Sequence, residues 1–303
     1  MENKAEIAID IKNLTKLYPG RMALNEITFS VKKGSVHGFL GPNGAGKSTT
    51  MKILSGLIPE SSGTFSVNGK VGFLPEHPPV YPGMSVEDYL QFVFDIYSPT
   101  QKNKKAVADV MEKTGLLHVR ERLIGNLSKG YQQRVGIAQA LVHNPEIIIL
   151  DEPTVGLDPV AIADIRELIT KLKKDHTILF STHQLHDVEL LCSDITLINN
   201  GKIVVTGALE GILKSLKTRM VISAHVEKFS EENKKEMMAK FKLLSIEFSP
   251  DIEKSQILLK IEANMTSTLK REIARFLTED SIGLLEFKED DLSLEEVFKQ
   301  MIH

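Results

Sequence analysis

Gly41-Pro42-Asn43-Gly44-Ala45-Gly46-Lys47-Ser48-Thr49 separates two stretches of different periodicity, and the fold is read outward from it. Before it, Val36–Leu40 forms a short apolar run that reads as a strand; after Lys47, Met51, Ile53, Leu54 and Leu57 keep helical spacing. A glycine-rich turn between a strand and a helix is the context a phosphate-binding loop requires. Glycines let successive backbone N–H groups turn inward around phosphate oxygens. The new helix adds unpaired N–H groups and the positive end of its dipole, and Lys47 adds a full charge. The Ser48 hydroxyl would sit on Mg²⁺. A flexible surface turn is the alternative reading of the same residues, and the loop alone says only that a nucleoside triphosphate binds.

The chain has 303 residues, 42% hydrophobic and 25% charged, which is the composition of a folded protein with room for one large domain or two ordinary ones. A net charge of −3, no long Lys/Arg run and no Trp give little to hold a nucleic acid, so no nucleic-acid partner is expected. Cys192 is the only cysteine, which excludes an internal disulfide framework and suits a small buried hydrophobe. The start Met-Glu-Asn-Lys-Ala-Glu lacks the features of a signal peptide, and no apolar stretch approaches a membrane span. Work at a membrane would need a partner to hold the chain there.

Ile7, Ile9 and Ile11 alternate with Ala8, Asp10 and Lys12, and Ile27, Phe29 and Val31 follow the same pattern, so two half-buried strands precede the loop, with Tyr18 in the turn between them. Asn68-Gly69, inside Thr64–Phe73, predicts a hairpin. Ser85 and Asp88 start a helix with Tyr89, Leu90, Val93 and Phe94 on one face, and a second helix ends at Gly115, which makes roughly 85–143 a helical insertion. That insertion closes with Leu127-Ser128-Lys129-Gly130-Tyr131-Gln132-Gln133-Arg134. Ile147–Leu150 then runs into Asp151-Glu152-Pro153-Thr154, a helix follows, and the strand Thr177–Phe180 leads to His183. Polar residues at strand ends in an alternating α/β pattern mark the ligand side of a doubly wound sheet. Asn200-Gly201 turns a last hairpin.

Beyond Gly211–Lys217 the order changes. Strands at Met220–Val226, Leu244–Phe248, Gln256–Ile261 and Leu284–Phe287 alternate with helices at Glu231–Phe241 and Thr268–Leu277, and Leu294–Met301 reads as a final helix. This β-α-β-β-α-β order suggests a small α+β, ferredoxin-like domain without a glycine-rich loop of its own.

Taken in this order, the motifs resemble those of the ATP-binding subunits of ATP-binding cassette (ABC) transporters, over roughly residues 5–210. The most specific part is Leu127–Arg134, which other phosphate-loop ATPases and kinases lack. The resemblance implies an ATPase using ATP and Mg²⁺. It gives Tyr18 the role of stacking on adenine, and Gly41, Asn43, Gly44, Gly46, Lys47, Ser48 and Thr49 that of holding the phosphates. Ser48, Glu76 and Asp151 would act at Mg²⁺, Glu152 as general base, and His183 on the γ-phosphate. Ser128 and Gly130 would face the γ-phosphate held by another copy, and Asp158 would lie in the loop that crosses to that copy. One chain has one phosphate loop and one signature segment, so a complete site needs two cassettes head to tail with two ATP molecules between them.

The sequence departs from the family at three places. Leu-Ser-Lys-Gly-Tyr stands for the usual Leu-Ser-Gly-Gly-Gln, so Lys129 replaces a glycine and Tyr131 a glutamine; Glu76 stands for the usual Q-loop glutamine; and the link from Asn68 to Val71 is short. Glu76–Pro82 is proline-rich, where the family meets its permease. That segment and the C-terminal region with Leu294-Glu295-Glu296-Val297-Phe298 resemble the exporter branch. The expectation is therefore an α/β phosphate-loop cassette at 1–214, with an N-terminal antiparallel β subdomain and the helical insertion, followed by an accessory domain at 215–303. It would work as a homodimer with a transmembrane permease, peripheral on the cytoplasmic face of the membrane. A soluble ABC ATPase acting on DNA or ribosomes is the alternative. Such proteins usually carry two cassettes, a long coiled coil or zinc-binding cysteines, and a phosphate-loop kinase would leave Leu127–Arg134 and His183 unexplained.

Overall fold

The computed structural model describes residues 6–99, 104–217, 219–241, 243–251, 256–264, 267–279 and 281–290. They fall into two compact units, Met1–Leu209 and Glu210–His303.

The first unit opens with β1 (Ile7–Tyr18) and β2 (Arg21–Lys32), which pair antiparallel around Pro19-Gly20. Proline fixes the first turn position and Gly20 takes the φ of +74° that the second demands. β3 (Val36–Leu40) follows, entirely buried, then α1 (Lys47–Leu54), β4 (Ser62–Val67) and β5 (Val71–Leu74). β4 joins the first two in a three-stranded antiparallel sheet of order β2-β1-β4, the expected N-terminal β subdomain.

The expected Asn68-Gly69 hairpin does not form. Val67 pairs with Ile9 in the three-stranded sheet, whereas Val71 pairs with Ile147 in the other sheet. The turn is real, but Asn68 Nδ2 donates to the Ile7 carbonyl and the Lys70 N–H donates to Glu146, so each arm is drawn to a different sheet. Asn-Gly records a reversal of the chain, and the partners of each strand decide whether that reversal is a hairpin.

The helical insertion holds α2 (Val86–Tyr97), α3 (Lys104–Lys113) and α4 (Lys129–Leu141). Ser85 caps α2 by accepting the Asp88 N–H, and Gly115 follows α3 at a φ of +71°, the left-handed position that ends a helix. Next come β6 (Ile147–Asp151), α5 (Pro159–Leu172), β7 (Thr177–Thr182), α6 (Leu185–Leu191), β8 (Asp194–Asn199) and β9 (Lys202–Ala208). The main sheet has the order β5-β6-β7-β3-β8-β9, parallel except for the β8–β9 hairpin at Asn200-Gly201.

Alternation along the buried central strands splits the core in two. Ile148, Leu150, Ile178 and Phe180 pack with the helical insertion and α5, while Ile147, Ile149, Leu179 and Phe39 pack with α1 and the three-stranded sheet. A sheet covered on both faces explains why these strands read as unbroken apolar runs.

α7 (Leu209–Lys217) spans the division between the units. The second unit consists of β10 (Arg219–Val226), α8 (Glu231–Lys240), β11 (Leu243–Asp251), β12 (Gln256–Asn264), α9 (Ser267–Leu277) and β13 (Leu284–Asp290). Its antiparallel sheet has the order β11-β12-β10-β13, over a core of Ile222, Val226, Met237, Leu259, Ile261, Ile273 and Phe276. The final helix expected at Leu294–Met301 lies outside the described residues.

Candidate functional site

β3 delivers the chain to Gly41, and α1 starts at Lys47 behind Gly46. No side chain caps α1, so its first N–H groups stay open toward the loop. Two glycines here have steric causes. A Cβ on Gly41 would lie 2.3 Å from the Ile198 carbonyl oxygen, and Gly46, at a φ of +114°, would meet the Ala23 carbonyl oxygen at 2.8 Å. Lys47 is buried and curls back over the loop, donating to the Gly41 carbonyl at 2.7 Å and the Pro42 carbonyl at 3.3 Å.

The loop forms the floor of a cavity of about 340 Å³. Of the residues singled out in the sequence, Tyr18, Asn43, Gly44, Gly46, Lys47, Ser48, Thr49, Glu76, Glu152 and His183 line it. Gly41 lies behind the wall and acts through its carbonyl on Lys47. Tyr18 closes β1 beside the turn and keeps 41% of its surface exposed, a flat ring at the mouth of the cavity.

Asp151 and Glu152 are neighbours with different partners. Asp151, almost fully buried, accepts a 2.6 Å hydrogen bond from Ser181 Oγ, and the same oxygen accepts the Glu152 N–H at 2.9 Å. Glu152 stands at a φ of +50°, left-handed for a side-chain-bearing residue, and its carboxylate has partners other than those of Asp151. Its Oε2 meets His183 Nδ1 at 2.9 Å; its Oε1 lies 3.1 Å from the Lys47 ammonium in charge contact, without the alignment of a hydrogen bond.

A buried carboxylate oxygen with unused accepting capacity fits a site that takes up a water or a cation. Among the described residues no three His, Cys, Asp or Glu side chains form a metal cage. Ser48 and Glu76 line the cavity, whereas buried Asp151 does not; as oxygen donors the three would suit Mg²⁺, which keeps waters and uses one or two carboxylates together with substrate phosphates.

Ser128, Gly130 and Asp158 are not brought to this cavity. Ser128 caps α4, and it lines a separate cleft of about 230 Å³ with His118, Arg122, Asn126 and Tyr131. A Cβ on Gly130 would press on the Ala161 methyl group at 2.8 Å, so α4 and α5 meet closely there. Asp158 caps α5 by accepting the Ala161 N–H at 2.9 Å.

Sequence reasoning missed Arg21 and Ser181. Arg21 is the register partner of Tyr18, lines the cavity and donates to the Gly44 carbonyl at 2.9 Å. Its place opposite Tyr18 across Pro19-Gly20 was a readable signal. Ser181 had none, because its role follows from the pairing of β6 with β7.

The ABC transporter family model matches residues 24–155. An uncharacterized ABC transporter ATP-binding protein of Methanocaldococcus jannaschii is 40% identical over 210 residues, 69% of this chain and 80% of its own. The lantibiotic transport ATP-binding protein SrtF of Streptococcus pyogenes is 38% identical over 213 residues, 67% of this chain and 92% of its own. The dimeric structure of MJ0796, a bacterial ABC transporter cassette, superposes with a TM-score of 0.61 at 25% identity, over 66% of this chain and 98% of its own. The motif order, the phosphate-loop geometry and these similarities together establish that the chain belongs to the ATP-binding subunits of ABC transporters, which are ATPases.

Proposed function

We propose that two copies of this chain close head to tail around two ATP molecules, and that closure and reopening drive export through a separate membrane permease. The observation that carries the shared site is that neither Ser128 nor Gly130 lines the phosphate-loop cavity within one chain, Ser128 lining a separate cleft instead. Cavity and cleft each need a complement that a second copy supplies. The γ-phosphate favours the closed state, so closure is a ligand-driven population shift.

Tyr18 stacks on adenine, the 41–49 backbone and Lys47 hold the phosphates, and Ser128 and Gly130 of one copy complete the site of the other. Ser48, Glu76 and Asp151 would hold Mg²⁺, which when bound would neutralise phosphate charge. His183 fixes Glu152 through Oε2, which leaves Oε1 to take the proton from the attacking water. Lys47 moves from Glu152 to the phosphates when ATP enters, freeing that oxygen.

The cassette covers 1–214 and the accessory domain 215–303, with α7 as the link. The sheet order of the second unit, together with its helix–strand sequence, supports a ferredoxin-like fold. Export is favoured by the resemblance of the proline-rich 76–82 segment to exporters and by the similarity to a lantibiotic transport protein. No helix among the described residues is long and apolar enough to cross a membrane, so a peripheral place on the cytoplasmic face requires the permease as anchor.

The test is to trap Glu152→Gln protein with ATP in cells, solubilise the membranes mildly and identify what co-purifies by mass spectrometry. A multi-spanning protein in stoichiometric amount supports the proposal. Recovery of ribosomes or DNA-bound proteins instead moves the function to a soluble ATPase.

A further inference from the structure

Asp187, on α6, is fully buried, and none of the steps above uses it. Its Oδ2 accepts a hydrogen bond from Thr154 Oγ1 at 2.8 Å, and its Oδ1 accepts from Arg166 Nε at 2.6 Å and from the same guanidinium's Nη2. A carboxylate removed from water is tolerated when both oxygens are bonded and a cation is among the partners. Thr154 is buried as well, while the Arg166 side chain keeps 19% of its surface exposed.

The three residues lie on three segments that serve the site. Thr154 follows Glu152 by one intervening residue and precedes the Asp158 cap of α5; Asp187, in the first turn of α6, comes four residues after His183; Arg166 projects from α5. Glu152 and His183 touch at 2.9 Å, and the chain leaving each of them is tied to the other again at Thr154 and Asp187. On the opposite side, Ser181 joins Asp151 to the Glu152 N–H. Glu152, at its left-handed φ, is thereby fixed from before and after. A strained backbone persists only where its surroundings over-determine it.

We infer that Thr154 and Asp187, with Arg166 as counter-ion, are positioning residues for hydrolysis. They hold the 152–158 loop against the 183–187 segment, so that Glu152 and His183 keep their mutual geometry when the cassette closes. The inference rests on the proposed roles of Glu152 and His183. None of the three lines the nucleotide cavity. Loss of the link therefore misaligns the base without weakening ATP binding, and a misplacement of about 1 Å can cost on the order of 10²-fold in rate.

The experiment compares Thr154→Val, which removes the hydroxyl at similar volume and keeps the Arg166–Asp187 pair, with Thr154→Ser, which keeps the hydroxyl. Both are made in the full chain beside Glu152→Gln, and kcat, the KM for ATP and the urea midpoint are measured. The expected result is a fall in kcat of about 10- to 100-fold for Thr154→Val, with KM within about 2-fold, and recovery of kcat in Thr154→Ser; the urea midpoint of Thr154→Val falls because Asp187 Oδ2 loses its buried donor, but the chain stays folded under the assay conditions. Parental turnover in Thr154→Val while Glu152→Gln is inactive overturns this inference and leaves the role of Glu152 standing. So does a loss that Thr154→Ser fails to rescue, or one in which KM rises in step with the fall in kcat. Near-parental turnover in Glu152→Gln overturns the role of Glu152 and the inference with it.

Discussion

Lys47 Nζ lies 3.1 Å from Glu152 Oε1, with 5% and 7% of the two side chains exposed. The cation proposed to serve the phosphates and the carboxylate proposed to serve the water thus neutralise each other. Taking away one member of such a pair strands the other in a buried site. Lys47→Met is expected to lower unfolding free energy by about 3–5 kcal/mol. Glu152→Gln is milder, because Lys47 keeps the Gly41 and Pro42 carbonyls. Adding Glu152→Gln to Lys47→Met recovers part of the loss, and urea denaturation of the four proteins reads the coupling; strictly additive effects contradict it.

Tyr18 offers a ring face at the mouth of the cavity rather than a buried packing surface. A stacking contact is worth about 0.5–1.5 kcal/mol, so Tyr18→Ala should raise the KM for ATP by roughly 2- to 10-fold with kcat little changed. Tyr18→Phe should behave as the parent. Steady-state kinetics over ATP concentration checks both, and an unchanged KM in Tyr18→Ala removes the residue from the site.

The legible part of this molecule was local. The phosphate loop declared itself because glycine spacing, a preceding strand and a following helix are neighbours in sequence, and Ser85 and Gly115 marked helix ends by their own chemistry. The Asn68-Gly69 turn was read correctly as a reversal and wrongly as a hairpin, since nothing near it records that Val71 pairs with Ile147. Ser181 and Asp187 escaped for the same reason: their partners Asp151 and Thr154 come from an adjoining strand and loop, 30 and 33 residues away in sequence. Contacts that depend on which strands pair become visible only once the sheet is assembled.

His37 gives the fold a pH dependence with a defined window. It is buried on β3, with Nε2 bonded to Thr196 Oγ1 at 2.8 Å and Nδ1 without a partner. Burial lowers its pKa from 6.5 to about 4, against the pull of Asp194. Between these values the unfolded chain takes up a proton that the folded chain refuses, so stability is lost as pH falls from about 6.5 to about 4 and His37 adds no further loss below that. The shift corresponds to about 3 kcal/mol. His143, also lowered by burial, acts in the same direction, whereas the pKa of Asp194, lowered from 3.8 by its hydrogen bonds to Lys32 and Ser193 against the effect of burial, puts its own loss below the His37 window. His37→Gln should flatten the urea midpoint between pH 7 and 4.5; an unaltered pH dependence removes His37 as the cause.

The most direct test of the shared site is subunit complementation. Glu152→Gln disables the proposed base beside its own phosphate loop, and Ser128→Arg blocks the signature segment proposed to serve the other copy. Neither variant alone can assemble an intact site, but a mixed dimer holds one, built from the phosphate loop and Glu152 of the Ser128→Arg chain and Ser128 of the Glu152→Gln chain. Random equimolar mixing makes half of the dimers mixed, with one working site of two, so ATP turnover should recover to about a quarter of the parental rate from near zero in either variant alone. Parental turnover by Ser128→Arg alone, or a mixture as inactive as its components, would contradict a site shared between two copies.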